Sequence, residues 1–199
     1  QDAAEQMAPL IRRVTEYAAA KGVRTCTENH GYIFQDPTRV EALIRKVNHP
    51  NYGWLCDMGN FMCADETSVE SVKIAAPMAV HAHAKDFHWK SKDAYQPMDQ
   101  GWFPTRGGNQ LRGAIIGHGA VNVPECLKIL REAGYDNWLS TEFEGIEAAN
   151  DPERVKAYAT TDSPEYQRLM RALRDRFALK SLKYTRIEDL IQAIGLPKC

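Results

Sequence analysis

The stretch HAHAKDF, residues 81–87, sets His81, His83 and Lys85 at alternate positions. Alternate side chains on an extended strand share a face, so these three point one way and Asp86 the other. A lone imidazole is more often a hydrogen-bonded core residue than a ligand, but three acids elsewhere change the balance. Glu28 ends the run VRTCTE, Asp57 ends YGWLCD, and Glu142 lies near the end of NWLSTEFE. Each of the three closes a strand-like segment. Together with His83, they would present three carboxylates and one imidazole, a hard, oxygen-rich set suited to an octahedral divalent cation. Mn²⁺ leads that choice, with Mg²⁺ and Co²⁺ beside it and Zn²⁺ less natural.

Other residues near these segments can meet a substrate. His30 stands two residues beyond Glu28 and can hydrogen-bond a substrate or serve as a base, although a plain loop histidine is an equal reading. Lys85 can offer a point charge to a substrate oxygen, or form a structural ion pair. For His81 the core reading is preferred, with substrate contact as the alternative. The run GWFPTRGGNQLRG, residues 101–113, has the glycines and aromatics of a loop that folds over a site, with Arg106 placed to grip a carboxylate or phosphate. Asp57 has a second use, since an Asp two residues before Gly59 commonly starts a turn.

The elements that must position these groups alternate along the chain. Met7, Leu10, Ile11, Val14 and Tyr17 recur at helical spacing, and Lys21-Gly22 ends that helix. Asp36-Pro37 opens a second helix with a buried stripe at Val40, Leu43, Ile44 and Val47, and Thr67 with Glu70 forms a capping box for a third. A fourth runs from Pro124 to Ala133. Strands are expected at VRTCTE, YGWLCD, AVHAHAKD, LRGAIIGHG and NWLSTEFE, with a long loop over residues 90–110. Connections too long for hairpins make the strands parallel, with helices covering the sheet in an α/β fold, and ligands then gather at the C-terminal strand ends. After Gly145 no strand is evident. Asp151-Pro152, Ser163-Pro164 and Thr185 with Glu188 each start a helix, and Tyr166, Leu169, Met170, Leu173 and Phe177 form a packing stripe. The chain therefore divides into an α/β portion, 1–150, and a helical C-terminal extension, 151–199.

Bulk composition removes several classes of function. The 199 residues carry 25 Lys and Arg against 26 Asp and Glu, net charge -1, with no basic block to follow a phosphate backbone, so nucleic acid is not expected as a partner. No apolar run is long enough to span a bilayer and no signal-peptide core is present near residue 1, so neither membrane nor export is expected. Five cysteines without a C-x-x-C pair fit reduced thiols in the cytoplasm.

Taken in order, TENHG, LCDMGNF, HAHAKDF and GAIIGHGAVNVPECLKILREAGYDNWLSTEFEG resemble the later strands of the xylose isomerase-like TIM-barrel superfamily, the sugar-phosphate isomerase and epimerase group. The resemblance covers about residues 1–150. It implies that Glu28, Asp57, His83 and Glu142 hold the metal, and that Glu28 and Glu142 flank the substrate as an acid/base pair. The reaction implied is proton abstraction next to a carbonyl, through an enediolate that the metal stabilises. The expected partner is a small sugar or sugar-like molecule.

The fold implied is a partial barrel, since a full one has eight strands and this chain matches from the helix before the fourth. Three βα units are then missing. The remnant would leave open sheet edges, so either the sequence is a fragment of a longer barrel, or a homo-oligomer or partner chain completes the barrel, or the C-terminal tail covers the gap. Three other functions compete with the isomerase. A lyase resembling the catalytic subunit of C-glycoside deglycosidases would use His30 as its base, on the strength of Glu28-Asn29-His30 and the Arg-Gly-Gly-Asn run at 106–109. Endonuclease IV-like repair would need extra ligand histidines and a basic groove, which the sequence lacks. A non-catalytic truncated barrel would bind only a metal or a partner.

Overall fold

The computed structural model describes residues 3–94, 101–144 and 184–186. Its elements in chain order are α1 (Ala3–Ala19), β1 (Thr25–Glu28), α2 (Pro37–Val47), β2 (Tyr52–Asp57), α3 (Ser68–Ala75), β3 (Ala79–Ala84), β4 (Asp86–Lys90), β5 (Phe103–Pro104), β6 (Gln110–Ala114), α4 (Val123–Glu132), β7 (Trp138–Thr141) and β8 (Tyr184–Arg186). Short 3-10 turns follow β2 at Asn60–Ala64 and α3 at Ala76–Met78.

β1, β2, β3 and β7 lie side by side and parallel. Helices α2 and α3 supply the crossovers within β1–β2 and β2–β3, and α4 leads into β7, so one sheet face is covered by helices. On that face Trp54, Cys56, Ala82, Ala84 and Leu139 pack against Val40, Val72, Cys126, Leu127 and Leu130 in a single core. Fully burying a side chain of the Leu130 type contributes about 1.5–3 kcal/mol. Alternation then turns Leu55, Asp57, His81, His83 and Ser140 to the opposite face. Parallel strands also bring their C-terminal ends to one edge of the sheet, and register aligns the candidate groups there: Asp57 stands opposite His83, and His83 opposite Ser140.

The partial α/β barrel expected from the sequence is the fold observed, but four local expectations are corrected. Residues 110–114 do not join the parallel sheet. They form β6, the middle of a separate antiparallel sheet ordered β4-β6-β5. Asp86 accounts for the difference. Its carboxylate accepts the N–H groups of Phe87, Gly117, Gly119 and Val121 at 2.7–3.0 Å, tying the loop after β6 to the start of β4. A Cβ on Gly119 would lie 2.2 Å from Asp86 Oδ1, so the close approach requires glycine. The chain returns to where it left, and 110–114 pairs with 86–90. The same sheet replaces part of the loop expected over 90–110.

Second, α1 forms as predicted, but Met7, Leu10, Val14 and Tyr17 are exposed, while Ala4, Ala8 and Thr15 are buried. Small residues let α1 approach α2 closely. Arg12 then crosses to the carbonyls of Val47 and Asn48, at 2.8 and 2.6 Å, satisfying acceptors left open at the end of α2. Third, the side chains of Asp36 and Thr67 make no capping bond. Asp36 is drawn away by Arg39 and Arg106. Fourth, Tyr184–Arg186 forms a strand antiparallel to β7 although the sequence shows no strand signal after Gly145, because the edge of β7 offers unpaired backbone groups; the helix expected to follow Thr185 lies outside the described residues. The domain boundary at 150, the remaining helices expected in 151–199 and the stripe from Tyr166 to Phe177 lie outside the described residues.

Candidate metal centre

Glu28 and Asp57 are the last residues of β1 and β2, His83 is next to last on β3, and Glu142 follows β7. The backbone N–H of Glu142 donates to Ala84 O at 2.9 Å, which keeps Glu142 beside β3 after β7 has ended. One ligand atom from each of the four residues lies within 4.8 Å of the other three. Among the described residues, no other such group of three or more His, Cys, Asp or Glu side chains is found.

Each ligand is held by a specific neighbour. Asp57 Oδ1 accepts the N–H groups of Gly59 and Asn60, both at 2.8 Å. The turn reading and the ligand reading of Asp57 are thus compatible, since the turn uses one oxygen and leaves the other. That other oxygen, Oδ2, is buried and has no hydrogen-bond partner; His83 Nδ1 stands 3.5 Å away. Glu28 Oε1 accepts Asn60 Nδ2 at 3.2 Å. Glu142 pairs through Oε2 with His83 Nδ1 at 2.8 Å and accepts Lys85 Nζ on Oε1 at 3.2 Å.

The electrostatics follow from three acids crowded together. Burial opposes charge on His83, yet the carboxylates of Asp57, Glu142 and Glu28 outweigh it and push the imidazole up to about 9. Burial raises Glu28, and the charges of Asp57 and Glu142 raise it further. Glu142 is held well below the usual carboxylate range by its bond to His83 and by Lys85, against the effect of burial. Burial raises the fully buried Asp57 against the pull of His83 and Lys85. The cluster therefore draws positive charge toward itself. A buried carboxylate oxygen without a donor, facing two further carboxylates and an imidazole, is the arrangement a divalent cation satisfies. The donor set fits a divalent cation.

Of the remaining predicted residues, His81 and Lys85 adjoin this cluster. His81 shares the His83 face, with ring centroids 5.4 Å apart, and its Nε2 meets Ser140 Oγ at 2.9 Å. Burial and the charge on His83 lower its affinity for a proton. Lys85 is 1% exposed and bridges Glu142 and Glu144, the latter at 2.8 Å. His30 is exposed at the mouth, in an isolated bridge with Phe34. Arg106 grips Asp36 and donates to Tyr32 O at 3.1 Å, fastening the 101–110 segment to the loop after β1. Asp65 fastens it a second time, accepting from Thr105 Oγ1 and Asn109 Nδ2 at 2.6 and 2.8 Å.

Three contributors were not singled out from the sequence. Glu144 had a signal, because it alternates with Glu142. Asn29 and Asn60 had none, since their roles depend on partners from other strands.

A model of the xylose isomerase-like TIM barrel matches residues 1–176. The chain belongs to that family. Among solved structures, it is similar to a xylose isomerase-like TIM-barrel protein from Mycobacterium smegmatis in complex with magnesium, at 17% identity and a TM-score of 0.61, over 96% of this chain and 52% of that one. It is also similar to the IOLI protein with a bound zinc atom, at 19% identity and a TM-score of 0.55, over 77% and 49%. A third likeness is to mannonate dehydratase from Streptococcus suis, at 13% identity and a TM-score of 0.51, over 68% and 38%. The chain spans about half the length of these first two structures. A comparison with curated proteins gives no match. The structures of similar fold thus include one in complex with magnesium, one with a bound zinc atom and one named a dehydratase. No helix among the described residues is long and apolar enough to cross a membrane.

Proposed function

We propose that this member of the family is a divalent-metal-dependent sugar isomerase or epimerase, with Mn²⁺ the preferred cation, that moves a proton next to a carbonyl. The observation that carries this reading is the convergence of Glu28, Asp57, His83 and Glu142 around the partnerless Oδ2 of Asp57. When bound there, the cation would polarise a substrate carbonyl and acidify the neighbouring C–H bond.

Glu28 and Glu142 come from the two outer strands of the parallel set, with β2 and β3 between them. A substrate carbon over the cluster then has a carboxylate on either side, one to take the proton and one to return it. Their opposite displacements in proton affinity support a division of labour, with Glu28 the readier acceptor and Glu142 kept ionised by His83 and Lys85. Lys85 would meet a substrate oxygen only by turning from its pairing with Glu142 or Glu144. His81 would border the sugar. Arg106 would reach an anionic group only after leaving Asp36. Completion of the barrel by a second copy or a different subunit belongs to the same reading, with β1 the outer strand of the parallel set among the described residues. Unpaired Cys56 and Cys126, both buried, support a reducing compartment such as the cytoplasm.

Solvent-deuterium exchange tests the proposal. The Mn²⁺-loaded protein should label a ketose at the carbon beside its carbonyl, and Glu28→Gln should slow labelling by about 10²–10⁴-fold. Release of an aglycone from a 3-oxo-glycoside, with no labelling of any ketose or ketose phosphate, would replace the isomerase by a lyase. Tight Mn²⁺ binding with neither reaction would leave a non-catalytic barrel.

A further inference from the structure

The residue between Glu28 and His30 is not itself at the metal face. Asn29 is completely buried, and its side chain reaches across from the end of β1 to the end of β2. Its Nδ2 donates to Asp57 O at 2.9 Å, and its Oδ1 accepts from Asp57 N at 3.0 Å. One primary amide thus closes a ring of two hydrogen bonds on the backbone of a single residue. The same Oδ1 accepts a third bond, from Trp54 Nε1 at 3.0 Å. Trp54 is buried to 0% exposure and stacks edge-on to Phe61 within the helix-facing core.

We propose that Asn29 is the positioning residue of the metal centre, fixing the backbone of Asp57 so that its free carboxylate oxygen enters the cluster. The inference rests on the metal reading above. The ladder between β1 and β2 ends at Glu28 opposite Leu55, two residues short of Asp57. Backbone pairing toward β1 therefore stops before the ligand, and Asn29 continues it with a side chain. Asp57 is then clamped on two sides. Asn29 fixes its main chain, and the N–H groups of Gly59 and Asn60 hold Oδ1. With both constraints in place the side chain has one direction left, and Oδ2 points inward without a hydrogen-bond donor, 3.5 Å from His83 Nδ1. Asn60 extends the clamp to Glu28 through Nδ2. Ligands held by such neighbours bind metal more tightly than free ones, and losing the neighbour typically weakens affinity 10–100-fold.

The amide suits this task better than the acid or an alcohol. It offers a donor and an acceptor side by side, which is what one residue's carbonyl and N–H require, and it adds no charge to a site already holding three carboxylates. Trp54 anchors the amide in the rigid core, so the orientation is set before any cation arrives.

Calorimetric titration with Mn²⁺, alongside urea melts of the metal-free protein, tests the proposal. Asn29→Ala keeps the charge unchanged and removes all three bonds; Asn29→Ser serves if that variant does not fold. Val47→Ala, in the separate cluster between α1 and α2, supplies a control that lowers stability away from the site. The expected result is Mn²⁺ affinity at least tenfold weaker in the Asn29 variant, and affinity within threefold of the natural protein in the control. The Trp54 indole N–H resonance should lose its protection from exchange in the Asn29 variant alone. Unchanged Mn²⁺ affinity in an Asn29 variant that folds would overturn the positioning role while leaving the metal centre standing. No Mn²⁺ binding by the natural protein would overturn both.

Discussion

Asp57→Asn should move stability and metal binding in opposite directions. The substitution keeps the shape, and Oδ1 can still accept from Gly59 and Asn60. It replaces the partnerless Oδ2 by an amide nitrogen that can donate to the surrounding carboxylates. Glu28 and Glu142 each place a ligand atom within 4.8 Å of Asp57. At an effective dielectric of about 20, each repels the Asp57 charge by at least about 3 kcal/mol. His83 at 3.5 Å attracts it by about 5 kcal/mol on the same scale, with Lys85 adding to that. Repulsion and attraction nearly cancel. What remains is desolvation of a buried oxygen without a donor, about 1–3 kcal/mol.

The sign agrees with the titration of Asp57. Its affinity for a proton is raised in the folded state, chiefly by burial, so ionisation above the unfolded value weakens the fold, and an uncharged isostere avoids the loss. The metal-free variant should therefore be more stable by about 1–3 kcal/mol, which raises Tm by about 2–4 °C per kcal/mol for a chain of this size. Removing a charged ligand from a buried site costs about 2 kcal/mol or more. Mn²⁺ should then bind about 30-fold more weakly, and the added metal should stabilise the variant less than the natural protein. Thermal melts with and without Mn²⁺, joined to calorimetry, measure both quantities. A variant that binds Mn²⁺ as tightly as the natural protein, or that loses stability without metal, would refute the reasoning.

Three further outcomes are expected. His83 holds a proton up to about pH 9 in the metal-free protein and must release it to become a ligand, so Mn²⁺ affinity should rise about tenfold per pH unit between 6 and 8.5 and level off above 9; calorimetry in buffers of different ionisation heat should count about one proton released, and a flat profile would exclude His83 as a ligand. The same raised affinity stabilises the metal-free fold fully below about 6.5, and that contribution is lost as pH climbs through about 9. Asp86→Asn should destabilise the protein by about 2–3 kcal/mol in urea melts, because an amide nitrogen would face backbone N–H groups where a carboxylate now accepts four of them; no change would mean that the loop after β6 is held by other contacts.

Strand ends were legible because they depend on local pattern. The alternation in TCTE, YGWLCD and AVHAHA, and the helices between them, required a parallel sheet and placed Glu28, Asp57 and His83 at one end of it. Glu142 followed from the same logic applied to WLST. Residues 110–114 carried an equally good strand pattern and still paired elsewhere. Their partner is set by the four bonds of Asp86, and nothing in the letters around Asp86 distinguishes a loop staple from a surface acid. The face of α1 went the same way. Spacing predicts that Met7, Leu10, Val14 and Tyr17 lie on one side of a helix, but which side meets α2 depends on how closely the two helices can approach, and Ala4 and Ala8 permit the closer contact.

By itself, then, the amino-acid order determined the four helices, the parallel strands β1, β2, β3 and β7 and the four groups that face a common edge, because backbone alternation and crossover length are properties of short segments. Only the tertiary structure decided that Oδ2 of Asp57 is left without a partner, that Lys85 lies buried between Glu142 and Glu144, and that Asn29 bridges two strands. Those facts arise from residues 28 to 59 positions apart along the chain meeting at a few ångströms. The strength of hydrogen bonds and charge pairs is set by such distances and by exclusion of water, and neither exists until the sheet has formed.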